Sequence, residues 1–521
     1  MKADPDILLH TEKVRKMLTR TTSRQARSAI GQFHTPAAIA CFMASLFEKT
    51  RNEARILDAG AGAGGLFSAL VSDLCSRPKH PKKIEVVAYE NDKGLIPYLA
   101  DTMELCRKAC ERVNVHFAGV VLNEDFIPAA LGELDDRFFA RKGKRFTHAI
   151  LNPPYKKISS ATRTRKLLDA AGLRTSNLYA AFVWLSAQLL MPGGELVAIT
   201  PRSFCNGPYF KPFRKALLAI VSLSRFHLFK SRKEAFAEDA VLQENVIFYG
   251  VSSEAPPDLV KISVSQGTDF NRAVSRGMPF AQVVVPGDPD KFIHLIEDDA
   301  GKQVIDRLSR FSSTLRELGL EVSTGRVVDF RARKYLRQQA ESGTAPLIYP
   351  CHFRQGFIHW PSPNGKKPNA IVSSEETRDL LVKQGCYVLA KRFSAKEERR
   401  RVVAAVYDPG RINAELVGFE NHLNYFHTKG QGLLINLAKG LALFLNSTLF
   451  DCYFRLFSGH TQVNAADLQK MGYPSRAQLL RLGKRVQECL PDQAEIDEIL
   501  EQECEKNDPS ERLGQDEKEN P

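Results

Sequence analysis

From residue 55 to about residue 250, short apolar and β-branched runs alternate with longer amphipathic stretches. Residues 55–57, ending at Asp58, together with 84–89, 115–121, 147–151 and 195–200, read as strands. Residues 66–75, 94–112 and 178–190 carry helical spacing between them, and Pro192-Gly193-Gly194 closes the last helix. Upstream, 7–30 reads as a basic helix, and 36–49 as a second one with Thr35 as N-cap and Pro36 at its first position. Strands that alternate with helices predict the α/β class, a doubly wound, mainly parallel sheet. Beyond about residue 300 the pattern loosens into short strands, Pro/Gly turns and Arg/Lys clusters. The expected division is a helical segment over 1–30, a doubly wound domain over 31–255, an α+β domain over 300–480, and a tail over 487–521.

Length agrees with that division, since 521 residues suit about three domains, or two with insertions. With 43% hydrophobic and 26% charged residues, the chain has enough apolar surface to bury cores. The first twenty residues lack an apolar stretch, so no signal peptide is expected, and no run is long and apolar enough for a membrane span. Ten cysteines without a CxxC pair predict neither a disulfide scaffold nor a metal site, and reduced thiols in a cytoplasm are expected. Charge sharpens the picture. Residues 487–521 hold thirteen acids and three bases, a net of −10, so with +13 overall the other 486 residues carry +23. The acidic tail reads as partly disordered, and the basic remainder suits a polyanion.

Two segments carry chemistry. In ILDAGAGAGGLFSAL, Asp58 and Ala59 lead into a turn with Gly60, Gly62, Gly64 and Gly65, at the carboxyl end of a strand and the start of a helix. Such a turn lets backbone approach a ligand. Asp58 opposes an anionic pyrophosphate and suits a cationic sulfonium or ammonium, which favours S-adenosylmethionine over a nicotinamide dinucleotide. Glu90, ending the second strand, is placed to accept two ribose hydroxyls. The fourth strand ends in Asn152-Pro153-Pro154-Tyr155. Two prolines cannot continue a ladder and hold the chain rigid with free carbonyls. The Asn152 side-chain carbonyl and the Pro153 backbone carbonyl can each take one hydrogen of a planar exocyclic amine. That localises the nitrogen lone pair for attack, by orientation and electrostatics rather than a strong base. Tyr155 would stack on the base, and a base buried in a duplex must first be flipped out.

In motif content and order the chain resembles the gamma-class, TaqI-like N6-adenine DNA methyltransferases, over about residues 28–250 and more loosely to 480. The resemblance implies that Thr35 and Pro36, within GQFHTP at 31–36, close over the methionine end of the cofactor. It also assigns the cofactor to Asp58, Ala59, Gly60, Gly62, Glu90, Asn91, Asp125, Phe126 and Phe182. Phe236 is the candidate to pack against the flipped base, with Phe226 and Phe229 as alternatives. It implies a C-terminal target-recognition domain, with base-edge or phosphate donors at 459–464. Basic clusters at Arg326, Arg331, Arg333, Lys334, Lys391, Arg392 and 399–401, interleaved with Tyr335, Tyr349, Phe353 and Phe393, would grip the phosphates.

The activity so implied is adenine-N6 methylation of double-stranded DNA by a monomeric, cytoplasmic, prokaryotic enzyme, paired with a cognate restriction endonuclease. Competing readings are an RNA or protein methyltransferase and a DNA-binding module with an inactive methyltransferase fold. N4-cytosine methylation is a further alternative, disfavoured because Ser more often replaces Asn152 there. A nicotinamide-dependent oxidoreductase is opposed by Asp58 and Asn152–Tyr155. A fused nuclease is opposed by the mere 55 or so residues before the first strand.

Overall fold

The computed structural model describes residues 5–21, 34–135, 145–230 and 244–505, apart from 297–298, 309, 312, 363–364, 366, 395–397 and 458–461. It divides into two compact units, Met1–Glu297 and Asp298–Pro521.

The first unit is built on a nine-stranded sheet. Its strands are β1 (Glu53–Ala59), β2 (Lys83–Tyr89), β3 (His116–Leu122), β4 (Phe146–Leu151), β5 (Leu190–Pro201), β6 (Val221–Phe229), β7 (Asn245–Ser252), β8 (Leu259–Ser265) and β9 (Val274–Pro279). The order across the sheet is β3-β2-β1-β4-β5-β7-β6-β8-β9. From β3 to β5 every pairing is parallel, whereas β7 runs antiparallel to both β5 and β6. Chain order reverses between β1 and β4, which pair through Ile56–His148 and Leu57–Ala149. In an open parallel sheet the crevice outside the carboxyl ends at such a reversal is where ligands bind. The two segments singled out in the sequence leave the sheet at those two ends.

The helices are α1 (Pro5–Thr21), α2 (Ala37–Ser45), α3 (Gly65–Ser76), α4 (Ile96–Glu111), α5 (Phe126–Asp135), α6 (Arg163–Ala170) and α7 (Leu178–Gln188). Ile39 and Met43 of α2, Phe67 and Leu70 of α3 and Leu99 of α4 form one core with Ile56, Ile84, Val86 and Ile150 of the strands. Burial of such side chains stabilises the layer by about 1.5–3 kcal/mol each. Gly64 makes the turn into α3 possible. Its φ is 86°, and a Cβ there would stand 2.7 Å from the Phe67 ring.

Several expectations need correction. Of the helix expected over 7–30, the part up to Thr21 is helical, and residues 22–33 lie outside the described ones. Pro36 is the N-cap of α2 and not its first residue, so Thr35 lies one position further out, and the Ala37 amide is met by Glu12 rather than by Thr35. Strand β5 starts at Leu190 and runs through Pro192-Gly193-Gly194. The local register with β4 shifts there, which lets the sheet absorb the turn-like residues. The sheet also continues past residue 255 through β8 and β9.

The second unit holds two sheets of short strands. One has the order Glu321–Thr324, Leu423–His427, Tyr387–Lys391, Ala404–Tyr407, Phe357–Ile358, Phe353–Arg354. The other has Leu336–Arg337, Ala370–Val372, Thr344–Ile348, Leu416–Phe419, Leu381–Lys383. Tyr387, Phe419 and Tyr425 pack together, Phe419 edge to face with Tyr387 at 5.3 Å and tilted against Tyr425 at 5.2 Å. Helices Ile435–Leu445 and Arg476–Lys484 cross backbone to backbone, because Gly440 and Gly483 carry no Cβ. Part of the segment expected to be disordered is ordered. Residues Gln493–Glu505 form a helix that buries Ile496, Ile499, Leu500 and Cys504, so apolar spacing outweighs acidic composition there. Among the described residues no helix is long and apolar enough to cross a membrane.

Candidate active site

A cavity of about 270 Å³ opens at the carboxyl ends of β1, β2 and β4. Gly60 to Ala63 form one wall. Glu90, Asn91, Asp125, Phe126 and Phe182 line it too, as do Thr35, Asn152, Pro154 and Lys156. The glycine turn is pinned, because the Gly60 and Ala61 amides both donate to the Tyr89 carbonyl at 2.9 Å. Its backbone is therefore set before any ligand arrives.

Glu90 is buried at the tip of β2, with Oε2 accepting from the Gly62 amide at 2.8 Å and Oε1 from the Asp92 amide at 2.9 Å. Burial pushes its carboxyl above the usual range. The two amides oppose the shift, and the neighbouring Asp92 charge adds to it. Each oxygen keeps a second lone pair, so the side chain can still take two hydroxyls. Asn123 donates to the Glu90 carbonyl at 2.8 Å and ties the third strand's loop to this corner. Asp125 is exposed and accepts from the Ile127 amide at 3.0 Å, starting α5, which presents Phe126. Phe126 lies 5.1 Å from both Tyr89 and Phe182, edge to face with the first and tilted against the second, so these rings make an apolar cluster at the cavity.

Asp58 departs from its expected place. It is fully buried beneath the turn and is not among the residues lining the cavity. Oδ2 accepts from the Phe67 amide in the first turn of α3 at 3.2 Å, and Oδ1 has no hydrogen-bond partner among the described residues. Burial pushes its carboxyl up to about 8, the Phe67 amide opposing and the Glu90 charge adding to the shift. Ala59, also buried, ends β1.

At the Asn152–Tyr155 corner Asn152 donates from Nδ2 to the Thr35 hydroxyl at 2.9 Å, so the segment before α2 holds the amide's orientation. Pro153 is buried, and Pro154 faces the cavity. The half-buried Tyr155 donates to the Ile199 carbonyl at 3.3 Å and meets Tyr179 edge to face at 6.1 Å. Burial raises its phenol well above the usual value, so it is neutral. Pro36 is not among the lining residues.

Phe236 lies outside the described residues, as do 459–461. Phe226 is buried against Phe248, and Phe229 packs on His227 and Phe270; neither lines the cavity. In the second unit Arg326, Arg331, Arg333, Lys334, Arg399 and Phe393 are exposed. Arg401 and Tyr349 are buried and so are not surface contacts. The Arg401 backbone amide is held by Asp451 at 2.6 Å, and the Tyr349 hydroxyl bonds Asp329 at 2.8 Å. The sequence reading missed Thr11, Glu12 and Arg15, which line the cavity from α1. The helical spacing there identified a helix but gave no partner for its polar face.

The family model described as Eco57I restriction-modification methylase matches residues 108–236. The Type II methyltransferase M.PstI of Providencia stuartii is 42% identical over 94% of this chain and 96% of its own length. The Type II methyltransferase M.BsuBI of Bacillus subtilis is 47% identical over 91% and 94%. Among solved structures, the type IIG restriction endonuclease BpuSI aligns over 91% of this chain and 63% of that one, with 12% identity and a TM-score of 0.46. The nine-stranded sheet is the Rossmann-like methyltransferase fold, and S-adenosylmethionine is the cofactor of the family. By its identity over nearly the whole length of two relatives, the chain belongs to the Type II DNA methyltransferases of restriction–modification systems.

Proposed function

We propose that the protein methylates the N6 amine of an adenine flipped out of duplex DNA at a specific site, and so marks host DNA in the cytoplasm against a cognate endonuclease. One observation carries this reading: the Asn152–Tyr155 corner stands beside the glycine turn, because β1 and β4 are paired neighbours.

S-adenosylmethionine supplies an electrophilic methyl on a sulfonium. The chain's own residues do the rest. Glu90 accepts from the ribose hydroxyls, Asp125 from the cofactor's adenine amine, and Phe126 and Phe182 flank that ring, with Asn91 beside them. Gly60 and Gly62 bring backbone close to the ligand, and Thr35 and Pro36 close the methionine end. Asp58 acts through the turn, by holding the first turn of α3. Thr35 takes the Nδ2 end of Asn152, which assigns Oδ1 and the Pro153 carbonyl to the two amine hydrogens of the target. Tyr155 offers its ring to the base, and Phe236 the opposite face. Hydrogen bonds to both amine hydrogens would localise the lone pair on the nitrogen; the methyl would pass to it as the carbon–sulfur bond breaks, the sulfur leaving as a neutral thioether and the nitrogen giving up one proton to solvent. The exposed cations of the second unit bind phosphates, and the active species is a monomer.

Asn152→Ala is expected to abolish tritium transfer to DNA while cofactor affinity stays within a few-fold. Loss of both counts against the assigned role. Nucleoside digestion of the wild-type product should yield N6-methyladenine; N4-methylcytosine, or label in RNA or protein instead, refutes the substrate.

A further inference from the structure

Directly after the Asn152–Tyr155 corner, residues 156–177 carry six cations, Lys156, Lys157, Arg163, Arg165, Lys166 and Arg174, against one acid, Asp169. That acid is taken up within the segment. Arg165 Nε donates to its Oδ2 at 3.1 Å, and the same guanidinium donates to the Thr175 carbonyl. Lys157, Arg163, Lys166 and Arg174 are exposed, and among the described residues none of their side chains has an ion pair or hydrogen bond.

The segment is a fixed excursion. Its two ends are tied together, the Leu178 amide donating to the Lys156 carbonyl at 2.9 Å and the Ile158 amide to the Ser176 carbonyl at 2.7 Å. Ile158, Leu168 and Leu173 are buried and anchor it. The cations are therefore presented from a platform that leaves the site one residue after Tyr155 and returns at the start of α7, the helix that carries Phe182. Local helix energetics argue against a purely structural role. Thr162 caps α6 by accepting from the Arg165 amide at 3.3 Å, and the first turn holds Arg163, Arg165 and Lys166 with no acid. The macrodipole makes that turn positive, so cations there oppose the helix, whereas an acid would stabilise it. Arg165 is offset by its carboxylate and carbonyl, but Arg163 and Lys166 have no such partner among the described residues. An external anion relieves repulsion of this kind. Eight residues make α6 about 12 Å long, which matches about three or four phosphates along one duplex strand.

We infer that Lys157, Arg163, Lys166 and Arg174 bind DNA phosphates beside the cavity, so that the catalytic unit carries its own grip on the duplex, through contacts that hold no sequence information. This rests on the proposed placement of the target base at Asn152–Tyr155. Each phosphate neutralised adds about 0.9 to the fall of log K with log salt, so two of them correspond to about 10- to 100-fold in affinity at about 0.1 M salt.

The test is the salt dependence of binding. A fluorescein-labelled duplex of about 30 base pairs and arbitrary sequence is titrated with the full chain, by anisotropy, between about 0.05 and 0.2 M salt. Arg163→Gln/Lys166→Gln should lower the slope by about two and bind about 10- to 100-fold more weakly at about 0.1 M salt, with S-adenosylmethionine affinity and melting temperature retained. Lys157→Gln/Arg174→Gln, outside the helix, should do the same, and decides the matter if the first variant does not fold. Lys79→Gln/Lys82→Gln removes two exposed cations before the amino end of β2, away from the cavity, and should leave the slope unchanged. In tritium transfer to unmodified genomic DNA, the first two variants should raise KM for DNA and keep kcat within a few-fold. Unchanged slopes in those two variants, an equal loss in Lys79→Gln/Lys82→Gln, or a loss with single-stranded RNA and none with the duplex overturns the assignment, while label entering DNA keeps the proposed function in place. A wild type that neither binds the duplex nor labels DNA overturns the proposed function, and this inference with it.

Discussion

Asp58→Asn should make the protein's stability less dependent on pH, in a direction opposite to that of a salt-bridged acid. The carboxyl is buried, keeps one amide donor and leaves Oδ1 without a partner among the described residues. Its folded-state pKa of about 8 lies far above the roughly 3.9 of an unfolded aspartate. The folded state therefore binds more protons between those values, and the contribution of Asp58 to stability is full at low pH and lost as pH rises towards 8. At about 1.4 kcal/mol per pH unit the ceiling is ~6 kcal/mol, and relaxation of the surroundings reduces it to about 2–4 kcal/mol. Asparagine has nearly the same shape and does not ionise. Urea denaturation of both proteins at pH 5 and pH 8.5, without cofactor, should show the unfolding free energy of wild type falling by about 2–4 kcal/mol relative to the variant. The comparison cancels the other raised carboxyls among the described residues, Asp73, Glu90, Glu195 and Glu420, which both proteins share. Parallel profiles would refute the reasoning, since they mean that the side chain is as well solvated or paired as in the unfolded chain.

Three further outcomes follow from the same geometry. Glu90→Gln removes a charged acceptor for two hydroxyls and should weaken cofactor binding at least tenfold in calorimetry, since charged hydrogen bonds are worth about 1.5–3 kcal/mol. Tyr155→Phe removes the hydroxyl that donates to the Ile199 carbonyl at 3.3 Å and keeps the ring, so methylation rate should stay within several-fold, whereas Tyr155→Ala should lose far more through the missing ring. Gly440→Ala puts a Cβ 1.9 Å from the Leu479 carbonyl oxygen, so the two helices must separate. Thermal denaturation should report a loss of about 2 kcal/mol or more in the second unit.

How much of this was legible in the sequence depended on whether a residue's partner lies nearby in the chain. The glycine turn and Asn152–Tyr155 could be placed because period-two strands end just before them, and a parallel sheet brings such ends to one edge. Phe126 and Phe182 followed from motif order, and they do meet, at 5.1 Å. The contributions of Glu12 and Arg15 could not be read, because their link to Ala37 spans 25 residues and leaves no local pattern. Arg401 looked like one member of a run of surface cations. It is buried because the loop carrying it is held by Asp451, fifty residues on. The acidic segment after 487 was misjudged for the opposite reason: Ile496, Ile499 and Leu500 form an apolar stripe that its net charge obscured.

A buried carboxylate is not in itself a sign of chemistry, and the two ends of the sheet show what separates the cases. At the end away from the cavity, Glu195 accepts from the Glu48 and Lys49 amides and from the Tyr249 hydroxyl at 2.7 Å, beside a His148 whose pKa burial pushes down to about 3. That carboxylate holds three donors, and it fixes the loop after α2 against the sheet. At the ligand end Glu90 has one amide on each oxygen, and Asp58 has one amide in all. An acceptor left without a donor costs about 1–3 kcal/mol, and here the deficit lies directly beneath the turn that must receive a sulfonium and an ammonium. Cationic ligands relieve both raised carboxyls at once, whereas an anionic pyrophosphate would aggravate them. The preference for S-adenosylmethionine over a dinucleotide therefore resides in unmet hydrogen-bond capacity behind the glycine turn, more than in the glycines that the two kinds of site share.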